Sequence, residues 1–247
     1  MCSGRVIVPD LFGNFHYLSF GEGGWGLNLL RGLASTLQIA LGAYALGILI
    51  GFAGAHGKLH GSTFTRWLLE IYTTLIRAVP ELVLILLLYY AGTSAINSVL
   101  DSLGYRPIDI SGLVAGIVVL GVVQGAYAIE VIRGAILVVP RGQLEAAAAF
   151  GMSRWKILTR ITIPAMLPAA LPGLSNLWLI VTKDTALLAV VGFTELALTT
   201  RQAAGATRAY FMFYLAAAVL YLLVTLVSAQ LFSMLEKRAR RGQPELS

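Results

Sequence analysis

Glu70, Arg77, Glu81, Glu130, Arg133, Lys183 and Asp184 stand in or beside stretches that are otherwise apolar. A charge at bilayer depth costs about 2.5–3.5 kcal/mol on insertion scales, so each of these groups needs a partner or a task. Ion pairing between helices and handling of a charged solute are the two chemistries open to them. Nucleophilic and metal chemistry have less footing. His16, His56 and His60 all lie outside the apolar stretches, against an intramembrane haem, a metal site or a His-dependent protease. The single cysteine, Cys2, can form neither an internal disulfide nor a multi-thiolate metal site. A phosphate-cradling G-x-x-x-x-G-K-[ST] loop is absent as well: Lys58 follows Gly57, but Phe52 stands at the first glycine position and Leu59 at the hydroxyl position.

Spacing sharpens these expectations. Read as one helix, the segment holding Glu70, Arg77 and Glu81 places all three within about 40° of one face. Arg77 is then i,i+4 to Glu81, and mutual pairing explains the set; the alternative is that Glu81 meets a solute. Glu130 and Arg133, three apart, are expected to pair and anchor the loop that follows. Adjacent Lys183 and Asp184 point about 100° apart, so at least one must meet another helix, a partner subunit or solute. Glu70, Arg77, Glu130 and Arg133 are therefore expected as structural ion pairs, and Glu81, Asn176, Lys183 and Asp184 as candidates for a solute pathway. Pro164, Pro168 and Pro172, four apart, are expected to bend or break the first turns of their helix.

The elements that must position these groups follow from composition. The chain has 247 residues, 57% hydrophobic and 12% charged, with mean hydropathy +0.79; soluble domains carry about a quarter charged residues. Five apolar blocks, 27–54, 68–96, 112–135, 168–192 and 210–234, match a hydrocarbon core about 30 Å thick. Such lengths mean helices, since a barrel strand needs only about ten residues. The chain is expected to be an all-α integral membrane protein with five transmembrane helices. Eleven Lys and Arg fall in one set of connections, from Lys58 to Arg241, and four (Arg5, Arg106, Arg201, Arg208) in the other. The positive-inside rule then places the N-terminus outside and the C-terminus in the cytoplasm. Residues 1–26 form an outer N-terminal segment, 27–235 the membrane domain with a cytoplasmic loop over 136–164, and 236–247 a basic cytoplasmic tail.

That loop reads as structured. Pro140 and Gly142 turn the chain, and QLEAAAAF favours helix. Glu145 is expected in the first turn, Gly151 as the stop and Ser153 as a cap for RWKILTRI. The alanine flank 146–149 suits insertion into a groove on another protein, and equally an interfacial helix on lipid headgroups aided by Trp155 and Lys156.

Glu145-Ala146-Ala147, three residues, Gly151, nine residues, Ile161, one residue, then Ile163-Pro164 resembles the EAA loop of ABC importer permeases, departing only in Ile163 for leucine. YTTLIRAVPELV at 72–83, GAYAIEVIRGAILVVPRGQLEAA at 125–147 and LPGLSNLWLIVTKDTALLAVVGFTEL at 171–196 resemble the polar amino acid uptake branch, nearest to permeases for histidine, lysine, arginine, ornithine and opines. The resemblance implies a type I ABC importer transmembrane domain with a cytoplasmic coupling helix in the bacterial inner membrane. It implies two separate ATPase subunits that hold ATP and magnesium, a second permease subunit in a heterodimer or homodimer, with the heterodimer preferred, and a periplasmic solute-binding protein. No cofactor in this chain and no nucleic-acid partner are implied; membrane lipid surrounds it. Glu145, Ala146, Ala147, Gly151, Ile161 and Pro164 are implied as the ATPase-coupling residues, with Ala146 and Ala147 facing the ATPase groove. An acid after the proline, here Glu81, accompanies the basic amino acid branch.

Other functions fit less well. A permease for neutral or acidic amino acids is the nearest alternative. A secondary transporter built of inverted repeats is disfavoured because five spans do not halve. A membrane-embedded enzyme lacks a His base in any span.

Overall fold

The computed structural model describes residues 15–107 and 111–240. The N-terminal segment before Phe15, with Cys2 and Arg5, and the end of the basic tail from Arg241 lie outside the described residues. Nine α-helices are formed among those described: α1 Gly26–His60, α2 Thr63–Ala78, α3 Glu81–Ser102, α4 Gly112–Val138, α5 Arg141–Ala149, α6 Arg154–Ile157, α7 Ile163–Asp184, α8 Leu196–Thr207 and α9 Tyr210–Ala239. Five stretches are long and apolar enough to cross a membrane: α1, α3, α4, the run from Arg154 to Val191 containing α7, and α9.

α1 and α4 form the spine and run in the same direction. A Cβ on Gly47 would lie 2.8 Å from the Gln124 Cβ, and one on Gly51 would lie 2.6 Å from the Ala128 Cβ. Small residues here let the two backbones meet, which is how helices associate where lipid removes the hydrophobic drive. Gly51→Leu is expected to force them apart at a cost of about 1–3 kcal/mol, lowering the melting temperature of the solubilised protein; an unchanged melting temperature would contradict this packing. α3 and α7 run against the spine. Leu84 packs with Val123 and Ala126, the α7 carbonyls of Leu174 and Leu177 accept from Tyr44 and Gln124, and Leu188 lies against Gly116. α9 returns parallel to α1, its Met212 and Phe213 clustered with Leu29.

Two apolar blocks differ from expectation. The block 68–96 is not one helix but α2 and α3. Pro80 has no N–H and drives its predecessor out of the helical region; Val79 is extended, with φ −101° and ψ 139°. The shared face of Glu70, Arg77 and Glu81, and the i,i+4 register of Arg77 with Glu81, therefore do not exist. The triple-proline helix shows the opposite outcome. α7 runs unbroken through Pro168 and Pro172, and the adjustment falls before it, in a π turn at Leu158–Thr162. Pro164 would crowd the carbonyl of Arg160, four residues earlier, in an α turn. The wider turn is held by Ile163 N–H and the Thr162 hydroxyl, which donate to Leu158 and Ile157 carbonyls. At the other end α7 tightens into a 3-10 segment, Thr185–Val191, that stops at Gly192 with φ 89°.

Candidate functional site

Four groups of residues carry the chemistry, beginning with the loop. α5 starts at Arg141 behind Pro140, so Glu145 lies in its second turn rather than its first. The helix ends in paired reversed hydrogen bonds: Gly151 N–H donates to Ala148 O at 2.9 Å and Met152 N–H to Ala147 O at 3.1 Å. This closure requires the left-handed φ of 72° at Gly151. Ala147 is buried and Leu144 packs with Val139, Ala135 and Met166. The expectation that Ala147 faces outward is thus corrected: it anchors α5 to its own chain. Glu145, Ala146, Ala148, Ala149 and Phe150 are exposed instead. Phe150, at 88% exposure, is the most exposed large apolar side chain among the described residues, and no spacing rule pointed to it. Ser153 stands at the cap position of α6 without a side-chain bond. Ile161 lies in the π turn and Pro164 at the start of α7.

The second group is contributed by α2, α3, α4 and α7. Glu81 opens α3, where the positive end of the helix dipole favours a carboxylate. Tyr127, the sixteenth of α4's 27 residues, lies beside Glu81 and in the fields of Arg77 and Asp184. Asp184, the last residue of α7, feels both Glu81 and Lys183. The structure therefore brings Glu81, Arg77 and Asp184 together from α3, α2 and α7, around a tyrosine that sequence spacing did not single out. Asn176 and Lys183 are both exposed and, seven apart on α7, share one face within about 20°. An amide and an ammonium exposed at membrane depth do not face lipid; that face belongs to an aqueous path or to another protein.

A third group ties α1, α2 and α4 together. The Lys58 ammonium donates to Glu70 Oε2 at 2.6 Å, Thr73 Oγ1 at 2.8 Å and Glu130 Oε1 at 2.7 Å. Glu130 Oε2 in turn accepts from Arg133 Nη2 at 2.8 Å. Glu70 is thus paired with Lys58, not with Arg77, which has no ion pair among the described residues. Lys58 sits near the end of a helix rather than in a loop, and its partners 12 and 72 residues away are out of reach of helical spacing.

Glu195 is the fourth feature. Fully buried, it caps α8 by accepting from Ala197 N–H at 2.8 Å and Leu198 N–H at 2.7 Å. Thr36 of α1 and Tyr221 of α9 also reach it. Burial pushes its carboxyl above the usual range, and those four donors pull it back. It joins three helices without facing open space. No group of three or more His, Cys, Asp or Glu among the described residues is arranged to hold a metal ion.

A family model described as "Binding-protein-dependent transport system inner membrane component" matches residues 43–241. The chain is 41% identical over 214 residues to a histidine/lysine/arginine/ornithine transport system permease protein of Escherichia coli (strain K12), covering 87% of this chain and 94% of that one. It is 42% identical over 227 residues to a nopaline transport system permease protein of Agrobacterium fabrum, covering 91% and 96%. A solved structure of an amino acid ABC transporter "with histidines" superposes with a TM-score of 0.72 at 29% identity, covering 87% of this chain and 95% of that chain.

Proposed function

Because this chain belongs to the inner membrane components of binding-protein-dependent transport systems, we propose that it is the permease subunit of an ATP-driven importer of basic amino acids or opines. The observation that carries the solute class is the cluster of charges around Tyr127. Glu81 and Asp184 supply two negative groups, and Arg77 and Lys183 supply positive ones. A basic amino acid presents the complement: an α-ammonium and a charged side chain for the two acids, and one carboxylate for a cation. Relatives named for histidine, lysine, arginine and ornithine, and for nopaline, support the reading.

The remaining assignments rest on membership of the family. ATP and magnesium are held by two separate ATPase subunits, and a periplasmic binding protein delivers the solute. Glu145, Ala146 and Phe150 present the exposed face of α5 to an ATPase subunit. A second permease subunit covers the α7 face that carries Asn176 and Lys183. A non-identical subunit suits that face better, since an identical copy would bring a second Lys183 ammonium to the same path. A complex of these parts, reconstituted in liposomes, is expected to hydrolyse ATP several-fold faster when binding protein loaded with arginine is added; no stimulation by any loaded binding protein would contradict the reading.

The orientation that puts α5 in the cytoplasm rests, among the described residues, on Lys58, Arg66, Arg133, Arg141, Arg154, Lys156, Arg160, Lys237, Arg238 and Arg240, against Arg106, Arg201 and Arg208 at the opposite ends of the spans. In a Cys2→Ser background, Gly205→Cys is expected to react with a membrane-impermeant thiol reagent in intact cells and Lys237→Cys to resist it. Gly205 is exposed, whereas neighbouring Ala204 is buried. The reverse pattern would overturn the orientation.

A further inference from the structure

We infer that Lys58 is a positioning residue that carries movement of the ATPase-facing loop to the solute cluster, an inference that rests on the function proposed above. α2 is the link. Of its sixteen residues only Thr73 and Ile76 are buried, so little apolar packing fixes where it lies. Polar contacts do that instead: Tyr72 donates to the Val122 carbonyl of α4, and Lys58 uses all three of its N–H donors on Glu70 and Thr73 of α2 and Glu130 of α4.

The bonds form an ordered chain. Glu130 and Arg133 lie in the last two to three turns of α4, which ends at Val138 ahead of Pro140 and α5. One oxygen of Glu130 holds Arg133 and the other holds Lys58. Lys58 holds α2, whose far end carries Arg77 and leads through Val79 and Pro80 into Glu81. Displacement of α4's end by α5 therefore reaches α2 through the Lys58 ammonium, with Tyr72 on Val122 as a second tie between α2 and α4, and the extended Val79–Pro80 link lets α2 turn without dragging α3 as a single rod.

Burial marks Lys58 as the indispensable member and also makes it testable. Its side chain is 6% exposed and that of Glu70 is 69% exposed. Removing the ammonium leaves Glu130 paired with Arg133 and leaves Glu70 able to turn to solvent. No carboxylate is stranded, which is the costly outcome when one partner of a buried pair is lost. Lys58→Met is expected to assemble normally.

The test uses the assembled importer in liposomes with arginine-loaded binding protein. In Lys58→Met, uptake per complex is expected to fall about tenfold while basal ATP hydrolysis persists, so the ratio of stimulated to basal hydrolysis drops. Lys58→Arg keeps the charge and is expected to recover uptake to within a few-fold of the original. Unchanged uptake and an unchanged ratio in Lys58→Met would overturn the proposal. Loss of folded complex in parallel with activity in both variants would also overturn it, leaving Lys58 a structural prop. A wild-type complex showing no stimulated hydrolysis would overturn the functional reading first, and this inference with it.

Discussion

Glu81→Gln is expected to cut uptake of arginine- or lysine-like cations by at least about tenfold per folded complex. A hydrogen bond to a charged group contributes about 1.5–3 kcal/mol, and each 1.4 kcal/mol is about tenfold in an equilibrium, so losing the Glu81 charge opposite a cationic solute has this size of effect. The competing explanation was that Glu81 only balances Arg77 one helical turn away. The break at Val79–Pro80 removes that register, and Glu81 instead lies beside Tyr127 in the field it shares with Asp184. Glutamine keeps the size and an acceptor oxygen while removing the charge, so helix packing should survive. The measurement is uptake of labelled arginine normalised to recovered complex. A loss that merely tracks the amount of folded protein would return Glu81 to a structural role.

Gly151→Val is expected to weaken recovery of the ATPase subunits with the membrane complex and to lower uptake about tenfold or more, with membrane insertion unchanged. The cause is backbone conformation alone. Nothing lies within 4 Å of a Cβ built on Gly151, so no clash opposes the substitution. The left-handed φ of 72° does: it costs an L-residue about 1–2 kcal/mol, and a β-branched one is poorly tolerated there. Relief of that strain unwinds the hydrogen bonds from Gly151 and Met152 that close α5, and with them the placement of Phe150. Asparagine enters the left-handed region readily, so Gly151→Asn is expected to retain most activity. Equal recovery of ATPase subunits and equal uptake in the valine variant would remove α5 from coupling.

Much of this architecture was legible in the residues because membrane helices announce themselves by length. Four of the five apolar blocks became α1, α4, α7 and α9: α1, α4 and α9 run on past the C-terminal ends of their blocks, while α7 starts five residues early and gives way at Asp184 to the 3-10 segment. The fifth misled in an instructive way. Pro80 was visible, yet apolar residues on both sides masked the break it imposes. In the triple-proline helix the same rule predicted disruption, and packing against α4 with a single π turn absorbed it.

Side-chain partners were far less legible. Glu130 with Arg133 is a local i,i+3 pair and follows from spacing. Lys58 with Glu130, and Glu195 with Thr36 and Tyr221, join different helices, and nothing in local periodicity encodes such distances. Tyr127 and Phe150 carry no sequence signal for a related reason: an aromatic residue in an apolar chain is ordinary until its neighbours are known. Asn176 and Lys183, candidates for the path on sequence grounds, prove exposed together on one face of α7.

Uptake by the reconstituted importer, with labelled arginine, leucine and glutamate offered in turn at equal concentration through a matched set of binding proteins, tests the solute assignment most directly. A path built around Glu81 and Asp184 gives ATP-dependent uptake of arginine at least about tenfold above the other two. Transport of leucine or glutamate alone, with arginine excluded, would contradict it.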